Sequence, residues 1–166
     1  MSMRRVGVLL LAFTALAVSA CSTVLAPDFG VREGRLAPCP PRRDCVSTQD
    51  QDPQRYIAPL TYTSTRDQAR TDLIAAVNSA GPGNIVSSHR NYLRVAYPTS
   101  DRTDRASEYY YQPANAVDEV EFYLVPGMHM IEMRSIARLG LLDIGANRAR
   151  LERLRAVFNA LQQQRG

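Results

Sequence analysis

The chain has 166 residues, a formal net charge of +4 and no lysine among its basic residues. A chain of this length is enough for one domain with a sizeable core, not two. A charge so close to neutral gives no electrostatic reason to expect nucleic acid as a partner.

The amino terminus has the segments of a bacterial lipoprotein signal in the right order. Arg4-Arg5 precedes the apolar or small stretch Val6–Val18, which is shorter than the roughly 20 apolar residues that a membrane-spanning helix needs. Ser19-Ala20-Cys21 follows and resembles a lipobox, in which the thiol of Cys21 accepts a diacylglyceryl group. We therefore predict a lipoprotein signal peptide over residues 1–20 and lipidation at Cys21. The alternative is an ordinary signal peptide that is cleaved before a chance cysteine.

The lipid determines the predicted location. Two or more acyl chains anchor a protein stably, and mature bacterial lipoproteins carry two or three, so the lipid membrane is the first expected partner. We expect the domain in the cell envelope, on the periplasmic side. Ser22 follows the lipid cysteine, and the absence of Asp there resembles lipoproteins sent to the outer rather than the inner membrane. Residues 21–37 show no sustained period and are predicted to be a membrane tether.

Two cysteines remain for the folded part of the chain. Cys39 and Cys45 are separated by a short segment that contains two prolines, and an exported chain keeps them outside the reducing cytosol. We therefore predict a disulfide between them. A zinc site is the alternative, but zinc takes four ligands, and His89 and His129 do not form a ligand-spaced pair. We expect neither a metal nor a cofactor.

A helix is predicted over residues 66–79. Thr65 and Gln68 have the capping-box spacing, in which each side chain would satisfy a free amide of the other residue. Apolar residues then recur on one helical face, and Gly81-Pro82-Gly83 ends the helix.

Alternating patterns predict antiparallel strands in the middle of the chain. Apolar and polar side chains alternate at the period of two that a half-buried strand requires. The long polar segment Thr99–Ala116 is predicted to be a loop, in which Tyr109–Tyr111 could add a short edge strand. The four predicted strands are Asn84–Ser88, Tyr92–Tyr97, Val117–Leu124 and Met128–Ile136.

The last two strands are predicted to form a hairpin. The register that we derive from its turn places Glu119 opposite Arg134, which is a favourable pair. The same register places Glu121 opposite Glu132, which is unfavourable and predicts a cation nearby, such as Arg94.

The final helix is predicted from about Ala146 to Gln164, because apolar residues recur there at steps of three and four. This order of elements predicts a two-layer α+β domain over residues 38–166, with an antiparallel sheet of about four to five strands and two helices packed on one face. The other sheet face is expected to be solvated. It would carry Tyr92, Arg94, Glu119, Glu121, Tyr123, Glu132 and Arg134.

The segment between the last strand and the last helix resembles a known family. It runs Arg134-Ser135-Ile136-Ala137-Arg138-Leu139-Gly140-Leu141-Leu142-Asp143-Ile144-Gly145-Ala146-Asn147-Arg148. Together with Cys45-Val46-Ser47-Thr48 and the Val120-Glu121-Phe122 strand, it is similar to the bacterial and plastid family called domain of unknown function 1499, over about residues 38–160. Asp44, Thr48 and Ala137 depart mildly from the family pattern. The resemblance implies a fold and an envelope setting, but no established activity or catalytic residue.

The same segment contains the candidate ligand-binding residues, which are Arg134, Arg138, Asp143, Asn147 and Arg148. The arginines could converge on the start of the last helix, whose free amides and dipole favour an anion. We call these five residues the arginine corner, and its functional interpretation is a pocket for a phosphate or carboxylate. The structural alternative is that Arg138 or Arg148 pairs with Asp143 and fixes the turn.

No catalytic set emerges from the sequence. Ser135, His129 and Asp143 have the residue types of a hydrolytic triad, but His129 and Ser135 lie at opposite ends of one predicted strand, about 20 Å apart. We therefore expect a non-enzymatic lipoprotein that binds an anionic ligand or an envelope protein. A hydrolase or transferase acting on an envelope component is one alternative, and a purely structural or assembly role is another.

Overall fold

The computed structural model describes residues 28–41, 44–98, 116–138 and 145–165. Their strands are β1 (Val31–Arg32), β2 (Arg35–Leu36), β3 (Cys45–Ser47), β4 (Leu60–Thr61), β5 (Asn84–His89), β6 (Tyr92–Pro98), β7 (Val117–Leu124) and β8 (Met130–Ala137). Their helices are α1 (Arg66–Ser79) and α2 (Ala146–Gln163). The predicted signal peptide, Cys21, Tyr109–Tyr111 and Asp143 lie outside the described residues.

Six strands form one antiparallel sheet in the order β3-β8-β7-β6-β5, and β4 joins it by pairing with β8. β3 and β4 lie end to end along the same edge of β8, because β7 occupies the other edge. β1 and β2 form a separate two-stranded hairpin. The α+β class is confirmed, and the sheet has more strands than predicted because the short strands β3 and β4 carry no alternating pattern long enough to detect.

Helix α1 begins and ends where the sequence predicts. The Thr65 side chain accepts a hydrogen bond from the Gln68 amide at 3.2 Å, which satisfies one free donor at the helix start. The Gln68 side chain does not return the bond to Thr65, because it donates to the buried carboxylate of Asp72 at 2.9 Å. Half of the predicted capping box is therefore formed.

The core lies between the two helices and one face of the sheet. Leu73 and Val77 of α1, and Leu154 and Phe158 of α2, belong to one buried cluster with alternate residues of β6, β7 and β8. The strand residues of this cluster are Leu93, Val95, Tyr97, Val120, Phe122, Leu124, Ile131 and Met133. Among the described residues, no helix is both long and apolar enough to cross a membrane.

The predicted register of the last hairpin is wrong by two residues. Leu124 pairs with Ile131, so the connection is longer than predicted, and Glu121 lies opposite Arg134. Glu119 lies opposite Ile136. The predicted like-charge pair of Glu121 with Glu132 therefore does not form, and the favourable pair uses Glu121 in place of Glu119.

Residues 28–37, which the sequence analysis assigned to the tether, pack on the sheet in the structure. We call Asp28–Leu36 the strap, and it contains the β1–β2 hairpin. Leu36 is buried, and its amide donates to the side-chain oxygen of Gln49 at 3.0 Å. The folded part of the chain therefore begins before residue 38.

The close approach of Gly83 to β6 gives the first testable prediction. A Cβ at this position would lie 2.7 Å from the Tyr97 ring and 2.8 Å from a methyl group of Val95, and both of these side chains are buried. We expect Gly83→Ala to lower the free energy of unfolding by about 1–3 kcal/mol, because the overpacked core must shift. Urea unfolding followed by circular dichroism measures this, with the exposed Ser79→Ala as the control. A stability for Gly83→Ala equal to that of the control would contradict the packing described.

Candidate functional site

The sheet face opposite the helices is not the solvated surface that the sequence predicts. Cross-strand pairing aligns one row of side chains across it, from Ser47 through Arg134 and Glu121 to Arg94. The Glu121 side chain is 0% exposed and that of Arg134 is 1% exposed. The prediction of a solvent-facing sheet is wrong for these residues, because the strap covers them.

Glu121 is the centre of this covered row. One carboxylate oxygen accepts hydrogen bonds from the Gly30 amide and the Tyr92 hydroxyl, each at 2.7 Å. The other oxygen accepts from the Arg134 guanidinium at 2.7 Å. Buried charges are tolerated when they are paired and hydrogen-bonded in this way. The network therefore joins β6, β7, β8 and the strap through a single carboxylate.

Tyr92 acts in this network only as a hydrogen-bond donor. Burial raises the pKa of its hydroxyl far above the ordinary value, and the hydrogen bond to Glu121 raises it further. A phenol that stays protonated next to a carboxylate is not a base or a nucleophile at neutral pH. The arrangement of Tyr92 and Glu121 is therefore structural.

The strap is held by polar and aromatic contacts. The Asp28 carbonyl oxygen accepts a hydrogen bond from the Arg134 guanidinium at 2.7 Å. The Phe29 ring lies near two arginines, with guanidinium carbons 4.7 Å (Arg94) and 5.8 Å (Arg134) from its centroid, both within cation–π range. The predicted position of Arg94 beside Glu121 is confirmed, since the two residues are direct cross-strand partners.

A groove of about 560 Å³ opens between the strap, the segment Ala37–Cys39 (the Cys39 segment) and the loop that follows β3. The predicted disulfide is present in the structure. It joins Cys39 and Cys45, whose Cα atoms are 5.6 Å apart. Cys39, one half of the disulfide, lines the groove. The groove is lined by Asp28, Phe29, Gly30, Arg32, Arg35, Leu36, Ala37, Pro38, Cys39, Ser47, Gln49, Asp50, Gln51 and Arg55.

Among the described residues, ion pairs satisfy two of the three arginines that line the groove. Arg32 lies 2.7 Å from Asp28, and Arg55 lies 3.0 Å from Asp50. Burial opposes ionisation of Asp50, but the Asp52 amide and the Arg55 guanidinium outweigh it and lower the pKa of the carboxyl group. The exposed Arg35 makes no ion pair with any residue that the structure describes.

The described members of the predicted arginine corner do not come together. Arg134 is buried on the strap side of the sheet, and Arg138 is half exposed and pairs with the buried Glu119. Arg148 is exposed and donates to the carbonyl oxygens of Gln54 and Tyr56 at 3.0 and 2.8 Å. Each arginine has its own partner, so the geometry of these residues does not form a shared anion pocket.

Asn147, the other described member of the corner, lies in a second buried polar cluster on the helix side of the sheet. It accepts hydrogen bonds from the Ser135 hydroxyl and from the Arg150 guanidinium, and donates to the Asp44 carbonyl at 3.0 Å. Arg150 also donates to the Asp118 carboxylate at 2.7 Å, and both side chains are almost completely buried. Asn147 thereby fixes the start of α2 against β8.

Sequence reasoning missed the pair of Asp118 and Arg150. The apolar residues that predict the last helix do not include Arg150, yet this arginine is 2% exposed. The sequence did indicate that Asp118 is buried, because it lies two residues before Val120 and therefore on the core-facing side of its strand. A charged residue in that row requires a buried partner of opposite charge.

The hydroxyl groups of Ser47 and Thr48 form hydrogen bonds with an amide and a carboxylate, respectively. Ser47 accepts a hydrogen bond from the Gln49 amide at 3.1 Å, and Thr48 donates to Glu132. His129 contacts the Tyr62 ring at the opposite end of β8 from Ser135, with ring centroids 5.1 Å apart. Within the part of the chain that the structure describes, no group of three or more His, Cys, Asp or Glu residues could hold a metal ion.

The buried pair of Glu121 and Arg134 gives the second prediction. Removing one partner leaves a buried charge without its ion-pair partner, so Arg134→Met should lower the free energy of unfolding by about 3–5 kcal/mol. Glu121→Leu combined with Arg134→Met should recover most of that loss in stability, because the double variant has no unpaired buried charge.

Urea unfolding of wild type, both single variants and the double variant measures the coupling. Limited proteolysis should also cut the strap faster in the double variant, since Gly30 and Asp28 lose their partners. Single variants within 1 kcal/mol of wild type would contradict the role assigned to Glu121.

A family described as "Protein of unknown function (DUF1499)" has a sequence model that matches residues 35–158. The match includes the charged side chains of both buried polar clusters and the disulfide, whereas Asp28 and Gly30 of the strap precede it. No curated protein and no solved structure matches the chain.

Proposed function

We propose that this chain, which belongs to the DUF1499 family, is an envelope lipoprotein anchored through Cys21 on the periplasmic side, with a domain that binds rather than catalyses. The groove beside the strap is the observation that supports this proposal. A concave site with apolar walls and a few placed polar groups is the usual form of a small-ligand site. The finer architecture we propose is one binding face on the strap side and both helices on the opposite face.

The walls of the groove are fixed before any ligand binds. The disulfide ties the Cys39 segment to Cys45 of β3. The Asp50–Arg55 ion pair holds the loop after β3, and the Gln49 side chain accepts a hydrogen bond from the Leu36 amide. Binding to a preformed site requires little ordering of side chains, which favours affinity. A preformed groove therefore suits a binding domain.

The charge distribution of the groove supports a ligand with an anionic group. Arg35 extends from the strap without an ion-pair partner among the described residues, while Phe29 and Pro38 supply apolar area close to it. An arginine can hold a phosphate or carboxylate through two parallel hydrogen bonds. We therefore move the predicted anion site from the arginine corner to the groove, with Arg35 as its cation.

The third prediction tests the anchor. Cys21→Ala should abolish acylation, because the alanine methyl group cannot accept the diacylglyceryl group, and the precursor should stall or be released from the membrane. Intact-mass analysis of the membrane fraction should show acyl chains on wild type and none on the variant. Ser22→Ala serves as the control and should be acylated as wild type is. A wild-type chain that begins elsewhere than Cys21, without acyl chains, would contradict the anchor.

The fourth prediction tests the groove with inorganic phosphate and glycerol phosphate as probes. A probe at 100 times its dissociation constant adds about 2.7 kcal/mol to the stability, which raises the melting temperature by several degrees. Arg35→Gln should lose this shift and keep the melting temperature of the probe-free protein, because the Arg35 side chain is exposed. The exposed Arg90→Gln, in the turn between β5 and β6, should keep the shift.

Arg138→Gln separates the groove from the arginine corner. Loss of the shift in Arg138→Gln, with retention in Arg35→Gln, would return the anion site to the corner. No shift with either probe would remove the anion site altogether and favour a structural or assembly role.

A further inference from the structure

The strap determines which side of the domain can face a membrane. If Cys21 carries the lipid, as the proposed function states, only residues 22–27 separate the anchor from Asp28. A fully extended chain gains at most about 3.6 Å per residue, so Asp28 lies within roughly 25 Å of the lipid cysteine. A compact domain of about 130 residues has a radius of gyration of roughly 14 Å, which corresponds to a diameter of about 36 Å, so the domain is wider than this reach.

Asp28 is fixed on the strap side of the sheet and cannot move freely around the domain. Its carbonyl oxygen accepts a hydrogen bond from Arg134, which is buried on that face, and the next two residues contact Arg94 and Glu121. The helices pack on the other face of the same sheet. A tether this short, which starts from the middle of the strap side, cannot reach past the sheet edge to present the helices to the membrane.

We infer that the strap side of the domain docks on the phospholipid bilayer that carries the anchor, with α1 and α2 facing away from it. The turn of the strap exposes Arg32, Glu33 and Arg35. Arg32 is already paired with Asp28, whereas Arg35 has no such pair among the described residues and lies free to bind a headgroup phosphate. The groove opens on this same side, so lipid headgroups are the first molecules that it meets.

The chain contains no tryptophan, so one introduced tryptophan reports its own surroundings. Pro38→Trp places the probe on the rim of the groove, and Ala156→Trp places it on the exposed side of α2. The experiment uses the mature lipidated protein, reconstituted in vesicles of phosphatidylethanolamine and phosphatidylglycerol that contain brominated lipid, which quenches tryptophan fluorescence at short range.

We expect at least threefold stronger quenching for Pro38→Trp than for Ala156→Trp. Adding Arg35→Glu to Pro38→Trp should reduce the quenching, because the new charge repels headgroup phosphates. Lengthening the tether by 20 Gly and Ser residues after Ser22 should reduce the difference between the two probes, since the longer chain permits other orientations.

The outcomes separate this inference from the function on which it rests. Absence of acyl chains by intact mass would overturn both the anchor and the docking surface. Acylated protein with equal quenching at the two positions, or with stronger quenching at Ala156→Trp, would overturn the docking surface and leave the anchor intact. Circular dichroism of each variant, matching that of wild type, shows that the tryptophan has not unfolded the domain.

Discussion

The rest of the structure depends on one buried carboxylate, that of Glu121. Its two oxygens bind a strap amide, a tyrosine hydroxyl and an arginine from the adjacent strand. Without Arg134 the buried carboxylate would lose its ion-pair partner, and without the strap the pair would be exposed to water. The ion pair and the strap therefore require each other, and this explains why a segment with no periodic pattern is part of the fold.

The sheet carries a second buried ion pair on its other face. Asp118 and Glu121 lie on the same strand but point to opposite faces, and each pairs with an arginine of a different element. Buried pairs of this kind contribute little net stability compared with apolar residues of the same size, but they penalise alternative pairings strongly. A two-residue slip of β7 against β8 would place Glu121 opposite Glu132. We interpret the pair of Glu121 and Arg134 as the feature that fixes the register.

Among the described residues, several that carry the family resemblance have structural roles of this kind. Arg134 binds Glu121 and the strap, while Ser135 and Asn147 join β8 to the start of α2. Arg148 holds the carbonyl groups of the loop after β3. A dense set of polar residues in one segment therefore marks the junction of three elements here. The groove lies beside the strap, where the sequence shows no comparable density of polar residues.

The sequence by itself determined the elements whose signals are local. The cap at Thr65, the apolar periods of α1 and α2, and the alternation along β6 and β7 depend on neighbouring residues, so the helices and most strands could be predicted closely. The disulfide also followed from counting cysteines. The α+β class then followed from the order of these elements.

Only the tertiary structure decided which polar residues are buried and what they bind. Glu121 and Arg134 alternate with apolar neighbours as solvent-facing residues do, and nothing local distinguishes a face covered by water from one covered by a strap. Arg150 and Asp118 are 32 positions apart, and their pairing follows from the packing of α2 on β7. Burial and pairing are set by contacts between distant segments, which is why each described arginine of the arginine corner has its partner outside that corner.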